Sequence, residues 1–246
     1  MKIKKAVVAG LITLSFANAQ AELIDRGGGM IYDTATNLTW LQNANFGAGS
    51  SYDTGYSSSD GRMSWNNAMA WADNLTFQGY SDWRLPTINP TVGCVSSPSF
   101  GGEDCGYNVL AENSELASLL QVSLGNLSVV DTNGDLRPGS TLSNFLKNRG
   151  PFQNLDDQYW IGTESPYTPI AAWSFATSTG LQMAFESKAS INHRAWAMRT
   201  GDVSYTAPPL PPPISAVPEP ETYAMMLAGL GLLGVMTRRR KQKLAA

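Results

Sequence analysis

The sequence is poor in the residues that metal sites and nucleophilic catalysis need. It contains one histidine, His193, and two cysteines, Cys94 and Cys105. No C-x-x-C spacing is present, which argues against a zinc site. His193 is a candidate general base, but the segment INHRAW shows no evident nucleophile, so an exposed or capping histidine is the alternative. The composition therefore offers few residues that could act as metal ligands, nucleophiles or general bases in an enzyme.

The sequence also lacks a hydrophobic run as long as a permanent membrane span requires. The C-terminal run Tyr223–Met236 has 14 uncharged residues. As a helix it reaches roughly 21 Å, whereas a hydrocarbon core is roughly 30 Å thick. Such a run fits a temporary stop in the membrane, with an ordinary C-terminal anchor as the alternative.

The N-terminus has the pattern of a secretory signal peptide. Three lysines precede an apolar stretch, Ala6–Phe16, and small residues follow at Ala17, Ala19 and Ala21. This order of a basic, an apolar and a small-residue region predicts that residues 1–21 direct export through the secretion machinery. The fold is then expected to begin near Glu22.

Positive charge is scarce between the two ends of the chain. Without the signal peptide and the residues after Pro220, nine of the 17 basic and 19 of the 20 acidic residues remain, which leaves a formal charge of −10. An acidic surface repels phosphate backbones and anionic head groups. Nucleic acid is therefore not expected as a partner.

The two cysteines stand close together in the segment VGCVSSPSFGGEDCGYN. Because an exported chain enters an oxidising compartment, this even pair predicts a disulfide between Cys94 and Cys105 that closes a loop. By loop entropy such a bond contributes about 3 kcal/mol.

Proline marks the boundary of the fold. Half of the 14 prolines lie in residues 203–221. Since proline fixes φ and removes a backbone donor, this segment is expected to be an extended, polyproline-like stalk. The folded domain is therefore expected over residues 22–202, and an apolar helix with a basic tail over residues 222–246.

Within residues 22–202 the hydrophobic period predicts strands, then helices, then strands, which is an α+β domain. The segments Met30–Tyr32 and Leu38–Leu41 flank the turn-prone DTATN and predict a β-hairpin. A helix is expected after Ser64, with an apolar stripe formed by Trp65, Ala68, Met69, Ala72 and Leu75.

One or two further short helices and a β-meander complete the expected fold. A second helix begins near Asn113 or Ser114, with a buried stripe of Leu116, Leu119 and Leu120. Ser140 is a candidate cap for a short third helix that turns Phe145 and Leu146 inward.

After Pro151 the hydrophobic period is two residues, and four segments predict an antiparallel meander. Its alternating apolar positions are Tyr159–Ile161, Trp173, Phe175, Leu181, Met183, Phe185, Trp196 and Met198.

Two long segments, residues 42–62 and 88–108, fit no helix or strand. Loops of this length in a compact domain are usually functional or disordered. The first is rich in Gly, Ser, Asn and Tyr, the composition of adaptable binding loops, and a solvated insertion is the alternative. The candidate ligand contacts, which would stack on sugar rings, are Phe46, Tyr52, Tyr56 and Tyr107.

One weak cation site is a candidate. Asp131, Asn133 and Asp135 place oxygen ligands at alternate positions, like the start of a calcium loop. The bidentate Glu expected at the twelfth position is absent, because Leu142 stands there. No cofactor is therefore expected, with calcium as the alternative.

The C-terminal order of Pro218-Glu219-Pro220, a short apolar helix and Arg238-Arg239-Arg240 resembles the PEP-CTERM sorting signal. The resemblance implies a bacterium of Gram-negative type and transient insertion in its inner membrane, with the basic cluster inside, as the positive-inside rule also predicts. It further implies that an exosortase-type sorting protease cuts near the Pro-Glu-Pro segment. The protein would then pass to the cell surface or the extracellular matrix.

A second resemblance covers Gly27–Asp202. The segment SWNNAMAWADNLTFQGYSDWRLPT, followed by ENSELASLL, resembles the Lcl C-terminal-domain family of exported bacterial proteins, whose function is largely undefined. It implies a C-type-lectin-like fold, similar to that of formylglycine-generating enzymes. The insertion between Thr87 and Glu112 departs from the family pattern. The early cysteines also do not match the reactive cysteine pair of those enzymes.

The specific core of this resemblance is Trp83–Pro86. Trp83, Arg84 and Pro86 are interpreted as a structural hub. Arg84 would bury its stem and place its guanidinium on backbone carbonyls or on an acid such as Asp82. Contact with a ligand is the alternative.

The function expected from these features is that of a non-catalytic, lectin-like surface module that binds extracellular polysaccharide or forms part of the matrix. One alternative is a secreted hydrolase or oxidase that uses an acid pair the sequence does not identify. The other is a passive structural component of the matrix.

Overall fold

Two sheets of short strands and two helices form an α+β fold over the described part of the chain. The computed structural model describes residues 22–205 except 96–98, 142–143 and 156–157, together with Leu230. Outside these residues lie the predicted signal peptide, most of the predicted stalk and, apart from Leu230, the sorting segment with Pro218, Glu219, Pro220 and Arg238–Arg240. In chain order the strands are β1 (Leu23–Asp25), β2 (Met30–Asp33), β3 (Leu38–Leu41), β4 (Arg62–Met63), β5 (Gln158–Glu164), β6 (Ala171–Ala176), β7 (Leu181–Ser187), β8 (His193–Arg194) and β9 (Met198–Thr200).

The predicted N-terminal hairpin is confirmed. β2 pairs antiparallel with β3, with Met30 opposite Leu41 and Asp33 opposite Leu38. Asn37 in the turn has a φ of 55°, a conformation that asparagine adopts more readily than most residues. β1 and β9 complete a four-stranded sheet in the order β1-β2-β3-β9.

The helix predicted after Ser64 is confirmed as α1 (Trp65–Asp73). The side-chain oxygen of Ser64 accepts a hydrogen bond from the backbone N–H of Asn67 at 3.3 Å. This bond satisfies one of the donors that the first turn leaves unpaired. The buried residues of α1 are Trp65, Ala68, Trp71 and Ala72.

The second predicted helix is also confirmed. It starts as α2 (Glu115–Ala117), capped by the Ser114 side chain, and continues as a π-helix over Ser118–Ser123. The predicted stripe of Leu116, Leu119 and Leu120 is fully buried.

The third predicted helix is wrong over the residues described there. Residues 144–148 form an irregular segment, although Phe145 points inward as predicted and is fully buried. The Asn126 side chain accounts for the difference, because its oxygen accepts hydrogen bonds from the backbone N–H groups of Lys147 and Asn148. A side chain that satisfies these donors competes with a helix.

Three of the four predicted meander strands are confirmed, as β5, β6 and β7 pair antiparallel in that order. The fourth is wrong. Trp196 follows β8, which pairs with β4 and runs parallel to β5, while Met198 belongs to β9 in the other sheet. The chain changes sheet at Trp196, whose indole N–H donates to the Leu41 carbonyl at 2.8 Å.

Aromatic side chains fill the core between the two sheets. Four tryptophans, Trp40, Trp160, Trp173 and Trp196, are fully buried. The Trp196 ring lies 5.0 Å from Trp40, which is on the first sheet, and 5.6 Å from Tyr159, which is on the second. Large tilted ring pairs of this kind contribute beyond their buried area, so they join the sheets into one rigid support for the loops.

Candidate functional site

The first long loop, residues 42–62, is an ordered segment held by two aspartates. Asp53 accepts hydrogen bonds from the backbone N–H groups of Gly49 and Gly61 at 3.0 and 2.9 Å. Asp60 accepts from three further backbone N–H groups of the loop. Although burial raises the pKa of Asp60, these hydrogen bonds lower it below its ordinary value. The Asp60 carboxylate therefore stabilises the loop in its ionised form.

The four aromatic residues predicted as ligand contacts do not form one surface. Tyr56 is 71 % exposed, with the Arg62 guanidinium over its ring. Phe46 packs edge-on against Phe77, while Tyr52 and Tyr107 are half-buried. Phe46, Tyr52 and Tyr56 belong to the loop that leads into β4, which is one edge of the five-stranded sheet. Tyr107 lies beside β7, which is the opposite edge of that sheet. Their role as ligand contacts stays a prediction.

The second loop is closed by the predicted disulfide, which is confirmed between Cys94 and Cys105, with a Cα–Cα distance of 5.1 Å. Asp104, which is fully buried, fixes the same loop independently. One of its oxygens accepts from the backbone N–H groups of Thr91, Val92 and Gly93, and the other accepts from the Asn113 amide; these four donors are 2.5–2.9 Å away. Burial raises the pKa of Asp104, but these bonds lower it overall.

The loop is joined to the edge of the sheet. Gly106 and Gln182 exchange two backbone hydrogen bonds at 2.8 and 3.0 Å, which adds one residue pair beside β7. The Gln182 side chain points inward, donates to the Asp104 carbonyl and accepts from the Ser114 hydroxyl. Asp104 and Gln182 thus hold the disulfide loop against β7.

A cleft of about 400 Å³ lies between this loop and β7. The alternation predicted for β7 is present, but its apolar positions lie on the exposed side, and Gln182 and Ala184 take the buried ones. Phe185 is 59 % exposed. The described residues that line the cleft are Cys94, Val95, Ser99, Cys105, Gly106, Leu181, Gln182, Met183, Phe185 and Glu186.

At the rim of the cleft, two exposed aromatic rings lie face to face. The rings of Tyr167 and Phe185 are 4.9 Å apart with an angle of 29° between their planes. The Tyr167 hydroxyl accepts a hydrogen bond from the backbone N–H of Cys94 at 2.7 Å, so the pair is tied to the disulfide loop. Val95, next to Cys94, is 79 % exposed. Exposed apolar side chains thus lie on both sides of the cleft, Val95 on the loop and Phe185 on β7.

Sequence reasoning missed this pair. Tyr167 lies in the segment TESPYTPI, which has no regular period, and Phe185 has the alternation of a buried strand residue. One signal of the site is present in the sequence: Gln182 is a polar residue in a strand that is otherwise predicted from its apolar positions. A buried glutamine needs hydrogen-bond partners, and these come from residues 104 and 114, far away in sequence.

The predicted hub surrounds an ion pair. Arg84 donates to both carboxylate oxygens of Glu115 at 2.7 Å and to the Leu85 carbonyl at 3.1 Å. The acid named in the prediction, Asp82, instead pairs with Arg199. Both neighbours in the hub, Trp83 and Pro86, are buried.

Glu115 also fixes the start of the second loop, because its carboxylate accepts from the backbone N–H of Thr87 at 2.6 Å. Burial raises its pKa, but the bonds from Arg84 and Thr87 lower it overall. A more polar cleft of about 320 Å³ lies beside Glu115 and includes Glu112 and Asn113.

The calcium candidates form a turn that uses its own backbone donors. Asp131 accepts from the backbone N–H groups of Asn133 and Asp135 at 2.8 and 3.0 Å. These bonds lower its pKa. Among the described residues no group of three His, Cys, Asp or Glu side chains is arranged to hold a metal ion. The expectation of no cofactor, with calcium as the alternative, stays a prediction.

The expectation of an exposed His193 is wrong. Its side chain is 1 % exposed and its ring lies 4.2 Å from that of Trp160, nearly parallel to it. Its position in β8, opposite Met63, places it inside the second sheet. A general base must reach its substrate, and this burial keeps His193 from doing so.

The fold and the loops define a small α+β domain of a chain that carries a sorting signal. Residues 29–96 match the family model of the Lcl C-terminal domain, and residues 216–241 match the PEP-CTERM protein-sorting motif. Both predicted resemblances are therefore supported, although the first match covers only the N-terminal part of the domain. No curated protein and no solved structure matches the chain. The likeness to the C-type-lectin-like fold stays a prediction.

The sorting motif identifies an exported protein that is anchored transiently in the membrane and then released to the cell surface or extracellular matrix. It implies processing by an exosortase-type protease. Within the part of the chain that is described, no helix has the length and apolar character needed to cross a membrane. Apart from Leu230, the predicted apolar helix lies outside that part.

Proposed function

We propose that the domain is a non-catalytic module that binds extracellular polysaccharide at the cleft beside β7. The exposed, stacked rings of Tyr167 and Phe185 carry the proposal. Aromatic side chains combine a large apolar face with few rotatable bonds, so sugar rings can pack on them at low entropic cost. Exposed apolar patches with a polar rim are typical of interaction sites.

The surroundings of the pair support a preformed site. Phe185 projects from a strand, and Tyr167 is tied to Cys94 through its hydroxyl. The disulfide and the buried Asp104 fix the loop on the other side of the cleft. Because a rigid site loses little conformational freedom when it binds, such bracing favours affinity.

A hydrolase or oxidase on the same fold is less well supported. His193 is buried beneath Trp160. The carboxylates of Asp104 and Glu115 are engaged by backbone N–H groups and by Arg84. These groups stabilise loops, and a catalytic acid or base must instead be free to exchange a proton with substrate.

A binding measurement on the purified exported protein tests the proposal. Fragments of extracellular polysaccharide are titrated by calorimetry against the wild type and the Phe185→Ala and Tyr167→Phe variants. Phe185→Ala is expected to weaken binding on the order of tenfold, because it removes the aromatic face on which the sugar would pack. Tyr167→Phe keeps the ring and is expected to retain most of the affinity. Since Phe185 is 59 % exposed, its loss should leave the melting temperature unchanged.

Tyr56→Ala is the matched control, because Tyr56 is an exposed aromatic residue in the other loop. It should bind as the wild type does. Binding that survives Phe185→Ala but is lost in Tyr56→Ala, or on deletion of Gly47–Gly61, would move the site to the first loop. A protein that binds no fragment would instead be a passive matrix component.

A further inference from the structure

Charge is distributed unevenly around the cleft beside β7. Of the described residues that line it, Glu186 is the charged one, and it is next to Phe185. A second carboxylate, Glu103, accepts a hydrogen bond from the backbone N–H of Val95 at 2.7 Å and so lies at the rim. The cleft therefore combines aromatic faces with negative charge.

The nearest lysine along the chain does not offset this charge. Lys188 pairs with Glu164 at 2.8 Å, and its ammonium group lies 4.7 Å from the centre of the Trp65 ring. Residues 22–220 as a whole carry 19 acidic and nine basic side chains. An anionic polymer is repelled at such a surface, and a cationic one is attracted.

We infer that the cleft selects a polysaccharide that carries free amino groups, an inference that rests on the proposed function. An ammonium group is attracted both by a carboxylate and by the face of an aromatic ring. Glu186 and Phe185 are consecutive residues of β7, and both line the cleft. The sugar ring packs on the face of Phe185 that Tyr167 leaves open, and its ammonium group binds the Glu186 carboxylate.

Four oligosaccharides of equal length test the selectivity, with the full exported protein in low and moderate salt. They are oligomers of glucosamine, N-acetylglucosamine, glucose and galacturonic acid. Glucosamine carries the free amine, and N-acetylglucosamine presents the same ring without the charge. We expect the glucosamine oligomer to bind most tightly, the galacturonate oligomer most weakly, and the preference for glucosamine to fall as salt rises.

Glu186→Gln separates charge from stacking. It should weaken the binding of the glucosamine oligomer about three- to fivefold, the effect of a partly exposed ion pair, and leave the N-acetylated oligomer unchanged. Phe185→Ala should weaken both. Glu112→Gln is the control, because Glu112 is an exposed glutamate at the other cleft; it should change neither affinity.

Equal binding of the amine and N-acetyl oligomers, unaffected by Glu186→Gln, would overturn the selectivity and leave the proposed function standing. Failure of all four oligosaccharides would overturn the proposed function itself. An oligolysine of equal charge serves as a further arm. If it binds as tightly as the glucosamine oligomer, charge alone is recognised and the inference is wrong.

Discussion

Replacing Arg84 by methionine tests whether the Trp83–Pro86 segment is structural. Methionine keeps an unbranched apolar stem and removes the guanidinium. The variant loses two hydrogen bonds of 2.7 Å to Glu115 and one of 3.1 Å to the Leu85 carbonyl. Glu115 keeps the backbone N–H and hydroxyl of Thr87 as donors at 2.6 and 3.0 Å, so its carboxylate is not left without partners.

Exposure sets the size of the effect. The side chains of Arg84 and Glu115 are 34 % and 23 % exposed, between a surface pair and a buried one. A surface pair contributes about 0–1 kcal/mol, and breaking a buried pair costs about 3–5 kcal/mol. We therefore expect a loss of about 2 kcal/mol, which in a domain of this size lowers the melting temperature by about 4–8 °C.

Thermal unfolding followed by circular dichroism measures the change. Arg26→Met is the matched control, because Arg26 makes a two-bond pair with Asp202 whose side chains are 31 % and 43 % exposed; its loss should be smaller. Combining Arg84→Met with Glu115→Gln should cost less than the two single changes added together. An unchanged melting temperature together with lost ligand binding would show that Arg84 contacts ligand instead.

The same pair predicts a pH dependence. The pKa of Glu115 is lower in the folded protein than its ordinary value, after opposing effects of burial, which raises it, and of Arg84 and Thr87, which lower it. A lowered carboxyl pKa stabilises the fold above the unfolded-state value of about 4.3, and this stabilisation is lost as pH falls through the folded-state pKa. The difference in melting temperature between the wild type and Arg84→Met should therefore shrink below about pH 4.

Three further changes probe the loops. Asp104→Asn should speed amide hydrogen exchange at Thr91–Gly93, because a neutral amide accepts more weakly than a carboxylate; unchanged exchange would contradict the bracing role. Replacing both Cys94 and Cys105 by serine should cost about 3 kcal/mol in denaturant unfolding, and no shift of the midpoint would contradict that loop-entropy value. Calcium should give no heat in calorimetry and no change in melting temperature, since the Asp131 carboxylate already accepts two backbone donors; a stabilisation reversed by chelator would refute this.

Local patterns predicted the parts of the fold that local interactions determine. The hairpin of β2 and β3 follows from two short apolar segments on either side of a turn. Their residues pair one to one, without a bulge. α1 follows from a capping serine and an apolar stripe, both within ten residues of each other. The order of β5, β6 and β7 follows because neighbouring strands are joined by short connections.

The features that failed depend on partners distant in sequence. Nothing near Met198 signals that its strand pairs with β3 rather than with the meander, since the partner lies some 160 residues earlier. The irregular segment after residue 143 is set by hydrogen bonds to Asn126. The candidate site was missed for the same reason. Gln182 is buried only because Asp104 and Ser114 supply its hydrogen bonds, and its burial turns Phe185 outward.

The predicted insertion after Thr87 separates the scaffold from the proposed site along the chain. The match to the Lcl C-terminal domain ends at residue 96, inside the disulfide loop, and includes Arg84, which pairs with Glu115 beyond the insertion. That ion pair and the Ile88–Ser114 bridge join the two ends of the insertion. Loops closed at both ends by a scaffold change in sequence and length at little cost to stability. The proposed recognition surface therefore lies where the family match ends, on this loop and on β7.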